Sequence, residues 1–253
     1  MLTHSIVETW IAALEARHLS ELRVPEVTRA LRALSSAYVE RRKTVSRGGA
    51  LDSAGKRAAF ALFYAPLHFI ATTHVVRELG AETPPPASIL DIGCGTGAGG
   101  AAWALAAGGV PVSGIDRHPW AVDEARWTYR HFGLRGQARQ GDVTRLPAIR
   151  PDSAVIAAYV LNELDDEVRR GVEDRLLDAA RRGARVLILE PIARGVTPWW
   201  PAAHERFAEA GGRPGEWRFT VDLPPFVRLL DKAAGLDHRE LTVKSLYCPG
   251  AAG

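Results

Sequence analysis

The chain predicts an α/β fold, a doubly wound and mostly parallel sheet, with a helical cap at its N-terminus. Three observations carry this. From residue 88 onward short apolar runs alternate with helical patterns. The first of those runs ends in a glycine-rich turn that leads into a helix of small residues, Ala98-Gly99-Gly100-Ala101-Ala102-Trp103. Residues 1–80 show apolar recurrence at helical spacing only. The expected division is a cap subdomain over residues 1–82 and a ligand-binding sheet domain over 83–253.

The elements follow in order. Ile6, Val7, Trp10, Ile11 and Leu14 share one helix face, and Val27, Leu31, Leu34 and Tyr38 share another. A third apolar helix is expected over about 56–79, with Pro66 as a kink or break because proline lacks the N–H that a helix interior needs. Thr83-Pro84-Pro85-Pro86 makes a stiff connector into the sheet. Strands are expected at 88–92, 111–116, 137–141, 153–160 and 184–190. Helices are expected near 98–108, 119–132 and 164–181. From Pro191 to about 221 the chain reads as an irregular stretch rich in tryptophan and proline. Pro224-Pro225 opens a helix to about 234, and His238 to Tyr247 closes the chain as a strand or hairpin.

Composition narrows the function classes. With 253 residues there is room for one large domain, or one domain with an added subdomain. No apolar run approaches the ~20 residues that span a bilayer, and Met1 to Ser5 lack the basic and apolar regions of a signal peptide. Cys94 and Cys248 are too few for a disulfide framework or a four-cysteine metal site, so no metal is expected and packing is the natural role of both. These features together suggest a reduced, cytoplasmic protein. The net charge of +3 is compatible with RNA binding without demanding it. Its basic residues are mostly arginine, with lysine only at 43, 56, 232 and 244.

The most informative run is Ile89-Leu90-Asp91-Ile92-Gly93-Cys94-Gly95-Thr96-Gly97. Glycines at 93, 95 and 97 let a ligand lie against the backbone, and the helix that follows opens with free N–H groups. The same glycines also fit a dinucleotide fingerprint, Gly93-x-Gly95-x-x-Ala98, with Asp116 downstream. Asp91 favours another ligand. A nicotinamide-binding strand usually carries an apolar residue there, whereas an acid suits a ligand with an α-amino group and a sulfonium. The run D-x-G-x-G-x-G resembles the first motif of the class I methyltransferases that use S-adenosylmethionine (SAM). That resemblance implies a Rossmann-like methyltransferase fold and a cofactor site made by Asp91, Gly93, Cys94, Gly95 and Gly97. Asp116, followed by Arg117, matches the acid that holds the ribose hydroxyls. Asp142 matches the acid that meets the adenine amine, with the Val143 N–H meeting a ring nitrogen. Tyr159 ends the fourth strand, where the transferred methyl would sit. Structural alternatives stand beside these roles: Asp116 as the cap of the helix at Pro119, and Asp142 as a turn initiator.

The acceptor is less legible. The segment Tyr159-Val160-Leu161-Asn162-Glu163-Leu164 lacks the (Asn/Asp)-Pro-Pro-(Tyr/Phe) pattern of many nucleic-acid amine methyltransferases, and no cysteine is placed to attack a pyrimidine. Methylation of N or O by positioning remains. Candidate catalytic residues are Glu163, His204 and His68. Asn162 could instead cap a helix starting near Glu163, with the acids that follow matching its dipole. Glu190 could face the acceptor pocket. Trp199, Trp200 and Trp217 could form a lid or fill space, and Phe60, Phe63, Tyr64, Leu67 and His68 could close over the cofactor or pack in a core. Arg41, Arg42, Lys43, Arg47, Lys56 and Arg57 form a basic stretch that is either solvated or phosphate-binding.

A second resemblance rests on Leu34-Ser35-Ser36-Ala37-Tyr38, Leu161-Asn162-Glu163-Leu164 and Glu190-Pro191. These are similar to a methyltransferase-like family associated with small ribosomal subunit assembly, whose C-terminal metal-binding cysteine cluster this chain lacks. The expected function is therefore SAM-dependent methyl transfer, with a small-molecule acceptor as the first choice. Ribosomal RNA methylation and a non-catalytic SAM-binding assembly factor are the alternatives.

Overall fold

A computed structural model of the chain describes residues 2–40 and 51–250. The basic stretch from Arg41 to Arg47 lies outside the described residues. The chain divides into two compact units, residues 1–68 with 219–241, and residues 69–218 with 242–253. The expected cap ended at residue 82. The observed unit ends at His68 and recruits a second segment from near the C-terminus.

The first unit is helical. Helices α1 (Leu2–His18) and α2 (Val24–Glu40) bury Val7, Trp10, Ile11, Leu14, Val27, Leu31 and Leu34 of the residues that recur at helical spacing, whereas Ile6, at the edge of the first face, is exposed. Helix α3 (Ala54–Ala59) starts at Ser53, whose hydroxyl accepts the Lys56 N–H. It passes through a π-helical turn, Phe60–Tyr64, into α4 (Ala65–Leu79). The wide turn is the answer to Pro66. A proline there cannot donate back along the helix, and the Ala65 N–H reaches the Phe60 carbonyl, which shifts the register without ending the helix. The helical run 54–79 is long and apolar enough to cross a membrane by length, against the expectation of no such run, but 72% of its most apolar window is buried inside the protein. The late segment contributes a helix, Pro225–Ala234, which buries Val227 and Leu230 against α2 and the π-turn.

The second unit is built on a seven-stranded sheet. In chain order its elements are β1 (Ile89–Ile92), α5 (Ala98–Ala106), β2 (Val112–Asp116), α6 (Pro119–His131), β3 (Gly136–Gln140), β4 (Ala154–Ala158), α7 (Asp166–Arg181), β5 (Arg185–Glu190), α8 (Trp200–Glu209), β6 (Arg213–Thr220) and β7 (Glu240–Cys248). The helix Pro225–Ala234, α9, falls between the last two strands. The strand order is β3-β2-β1-β4-β5-β7-β6. The first five are parallel and β7 runs antiparallel to β5, with Glu190 opposite Lys244. The central strands β1, β4 and β5 are buried almost throughout, as a sheet covered on both faces requires.

The stretch expected to be irregular after Pro191 is ordered as α8 and β6. Its tryptophans do not form a lid. Trp199 and Trp200 pack on the core that includes Leu176, Ala203 and Phe207. The Arg169 guanidinium lies 4.8 Å from the Trp199 ring centre and the Lys244 ammonium 4.5 Å from that of Trp200. Trp217 sits on β6 and donates from Nε1 to Ser245 Oγ on β7 at 2.9 Å. Space filling wins because the aromatic faces meet core and cations.

Candidate active site

The site begins with the glycine turn after β1. Gly93, Gly95 and Gly97 have φ of +63°, +51° and +78°, the left-handed region that side chains disfavour. A Cβ on Gly93 would lie 2.2 Å from Val160 Cγ2, and one on Gly97 would lie 2.8 Å from the Tyr129 ring. The turn is thus clamped between the end of β4 and the inner face of α6.

Asp91 is 2% exposed beneath this turn. Its Oδ2 accepts the Gly100 N–H at 2.8 Å, which ties β1 to the first turn of α5. A Cβ on Gly100 would come within 2.6 Å of that oxygen, so only glycine admits the contact. One oxygen of the acid assigned to the ligand therefore holds the helix. Burial, reinforced by nearby Asp116, pushes Asp91 up to about 7, although the Gly100 bond pulls the other way.

Asp116 joins turn to strand. Oδ2 accepts the Gly95 N–H at 2.9 Å and Oδ1 the His118 N–H at 2.8 Å. The cap position of α6 is His118, so the alternative of Asp116 as that cap is set aside. Its half-buried carboxylate lies at the carboxyl end of β2, beside exposed Arg117. Asp142 does initiate a turn. It accepts the Thr144 N–H at 2.8 Å, which holds its carboxyl below the usual range, and it heads the short 3-10 turn Val143–Arg145. Its exposed carboxylate and the Val143 N–H remain at the mouth of β3. In register, Asp91 pairs with Gly114, and Asp116 with Gln140. The three acids therefore line neighbouring strand ends, the edge where open α/β sheets bind ligands.

Cys94 and Tyr129 are the packing beneath the turn. Both are buried, and burial raises each well above its ordinary value, so the Cys94 thiol stays protonated. Tyr129 is a residue that sequence reasoning missed. Its signal was present in the strand glycines: a Cβ on Gly114 would lie 2.9 Å from its hydroxyl, and one on Gly136 2.5 Å from its Cβ.

The acceptor end is the segment after β4. Tyr159 has φ of +59°, the sole positive value at a non-glycine among the described residues. Such strain in a bulky residue costs on the order of 1–3 kcal/mol and persists where the surroundings hold it. Here the Tyr159 N–H donates to the Leu189 carbonyl at 2.7 Å. A 3-10 turn, Leu161–Glu163, follows. Asn162 does not cap α7, and Glu163 lies outside the first turn of that helix. Helix α7 starts at Asp166 with Asp165 in the cap position.

Asn162 is instead bound to Glu190, which does not face an open pocket. Glu190 is fully buried. Its Oε1 accepts the N–H groups of Leu161 and Asn162 at 2.9 and 3.2 Å, and its Oε2 accepts Asn162 Nδ2 at 2.5 Å. Burial pushes Glu190 up to about 8 and Glu163 up to about 7. Glu163 also feels the attraction of Arg117 and the repulsion of Asp116.

The other catalytic candidates lie elsewhere. His204 is half-buried on α8, and no hydrogen bond or ion pair among the described residues joins it to these carboxylates. His68 belongs to the helical unit, edge-on to Phe60 at 6.1 Å. Burial drops it to about 4, so it is neutral at pH 7. Phe63 and Leu67 are buried in that unit. Among the described residues no group of three His, Cys, Asp or Glu side chains could hold a metal.

The arrangement fits SAM. A backbone cradle without Cβ atoms meets a set of crowded acids, two of them raised in part by a neighbouring carboxylate, which a positive ligand would relieve. Residues 89–183 match the methyltransferase domain family. A 2-ketoarginine methyltransferase of Streptomyces arginensis is 34% identical over 131 residues, which are 49% of this chain and 37% of that enzyme. The chain thus spans little more than a third of that relative. An O-methyltransferase family protein of Burkholderia thailandensis superposes with a TM-score of 0.56 at 16% identity, over 98% of this chain and 72% of that one. The N-methyltransferase NodS of Bradyrhizobium japonicum WM9, solved with S-adenosylhomocysteine, superposes with a TM-score of 0.50 at 16% identity, over 73% and 88%. Fold and domain match agree that the part of the chain from β1 onward is similar to a methyltransferase domain.

Proposed function

We propose that the protein transfers a methyl group from SAM to a nitrogen or oxygen of a small-molecule acceptor. The observation that carries this is the gathering of Asp91 and Asp116 around the glycine turn and the helix after it, with Glu163 within electrostatic reach of Asp116 and Glu190 fixing the turn that bears Glu163. SAM supplies an electrophilic methyl on a positively charged sulfur. The chain's own residues bind and orient. Gly93 to Gly97 seat the cofactor against the backbone. Asp116 and Arg117 flank the ribose position, and Asp142 and Val143 the adenine position. Tyr159 and the Leu161–Glu163 turn border the methyl. In-line attack needs mainly alignment and a proton that can leave, and Glu163, pushed up to about 7, is able to take one.

A small acceptor is supported by the S. arginensis relative, whose name specifies a small keto acid. The test is incubation of the protein and methyl-labelled SAM with a cell extract, separated into metabolite, protein and RNA fractions. Label in the metabolite fraction is expected. Label confined to RNA would replace this reading with ribosomal RNA methylation. Tight SAM binding with no label in any fraction would favour a binding protein.

A further inference from the structure

Besides Asp142, four carboxylates crowd the cofactor end of the sheet, and three of these four are engaged by hydrogen bonds. Asp91 accepts from Gly100, Asp116 from Gly95 and His118, and Glu190 from Leu161 and Asn162. Among the described residues the side chain of Glu163 accepts none. It is nevertheless held in place. Its 3-10 turn is anchored by the three bonds to Glu190, and the turn begins at Val160, whose side chain covers Gly93. Glu163 thus projects from a rigid turn that abuts the cofactor cradle, within electrostatic reach of Asp116 and Arg117.

We propose that Glu163 reads the charge of the cofactor, so that the site prefers the sulfonium of SAM to the neutral thioether of S-adenosylhomocysteine. This rests on the SAM-binding reading above. The two ligands share adenine, ribose and amino acid, and every contact to those parts is common to both. They differ by one methyl and one positive charge at sulfur. A carboxylate with no hydrogen-bond donor of its own, held half-buried, interacts strongly with that charge because the surroundings screen it poorly. Loss of the charge on transfer removes the attraction, and product leaves more readily than substrate. Glu190 acts through the turn and is a positioning residue.

Protons report the same interaction. Below about pH 7 Glu163 is protonated and must ionise before it attracts a cation, so SAM affinity should gain more with rising pH than S-adenosylhomocysteine affinity. Asp116, Arg117 and Glu190 face Glu163, and Asp91 faces Asp116. Asp91 and Glu190 also titrate near this range, so the share of Glu163 is isolated by substitution.

The experiment is calorimetry of the full chain with SAM and with S-adenosylhomocysteine at pH 6.0 and 8.0, on the wild type, Glu163→Gln and Glu163→Asp (pH values set at about one unit either side of the transition). The wild-type preference for SAM should grow from the lower to the higher pH. Glu163→Gln should cut that preference by roughly tenfold and remove its growth with pH. Glu163→Asp, which keeps the charge, should retain most of it. An unaltered ratio in Glu163→Gln overturns the inference alone. If Glu163→Gln does not fold, a pH-independent wild-type ratio overturns it equally. Binding of neither ligand by the wild type overturns the cofactor reading itself.

Discussion

At the scale of single residues, the site depends on atoms that are missing as much as on those present. Gly93 combines a φ of +63° with a Cβ position 2.2 Å from Val160. Neither can be relieved without moving the end of β4. Gly93→Ala should therefore lower stability by about 1–3 kcal/mol and weaken SAM binding with it, as read by thermal melting and calorimetry. Asp116 is different, because its carboxylate orders backbone that the ligand also meets. Asp116→Ala frees the Gly95 and His118 N–H groups together. SAM affinity should fall by on the order of 1.5–3 kcal/mol, the scale of hydrogen bonds to a charged group. Melting should fall as well. Unchanged SAM affinity with reduced melting would assign Asp116 a purely structural role.

At the scale of elements, the brace from β5 to the Leu161–Glu163 turn couples stability to pH. Glu190 is raised by burial to about 8. The folded protein therefore holds a proton that the unfolded chain releases above about 4.5. Its contribution is fully present below the unfolded value and is lost as pH rises through about 8. Asp91 and Glu163, both raised to about 7, act in the same direction. The ligand-free protein should melt several degrees lower at pH 8.5 than at pH 6 (about 2–4 °C per kcal/mol at this size). Glu190→Gln, uncharged at either pH, should flatten that slope. An equal slope in the variant would show that other groups carry it. This brace also marks where sequence reading stops. The strands that carry Asp91, Asp116 and Glu190 are legible because each sets an acid at or beside the end of a short, mainly apolar segment. The partner of Glu190 lies 28 to 29 positions away in the chain and exists only once β4 and β5 are paired. The left-handed backbone of Tyr159 has no local sign, since tyrosine gains nothing by it. In β6, Glu216 and Arg218 alternate with Trp217 and Phe219, but glycine and proline at its start hide the strand among turn signals. The π-turn is legible in part: Pro66 announced an interruption, but a proline alone does not say whether the helix ends or widens.

At the scale of the whole molecule, one compact unit is assembled from two segments far apart in the chain. Residues 1–68 join 219–241, and α9 sets Val227 and Leu230 against α2 and the π-turn. A chain cut after residue 218 should leave the facing apolar surface of α2 and the π-turn uncovered. We expect it to aggregate or bind a hydrophobic dye while the full chain stays monodisperse, as light scattering would show. A soluble truncated chain with the melting temperature of the full protein would mean that α9 adds nothing.

That arrangement sets a timetable for synthesis. Helices α1 and α2 are made before their partner α9, with the 150 residues of 69–218 synthesised in between. At about 5–20 residues per second the delay is roughly 8 to 30 seconds. Through it the apolar residues of α2 and the π-turn that face α9 lack that partner. Whatever shields that face in the interval, such as a chaperone, is part of how this protein is born, and strains poor in such shielding should yield less of it at equal transcript levels.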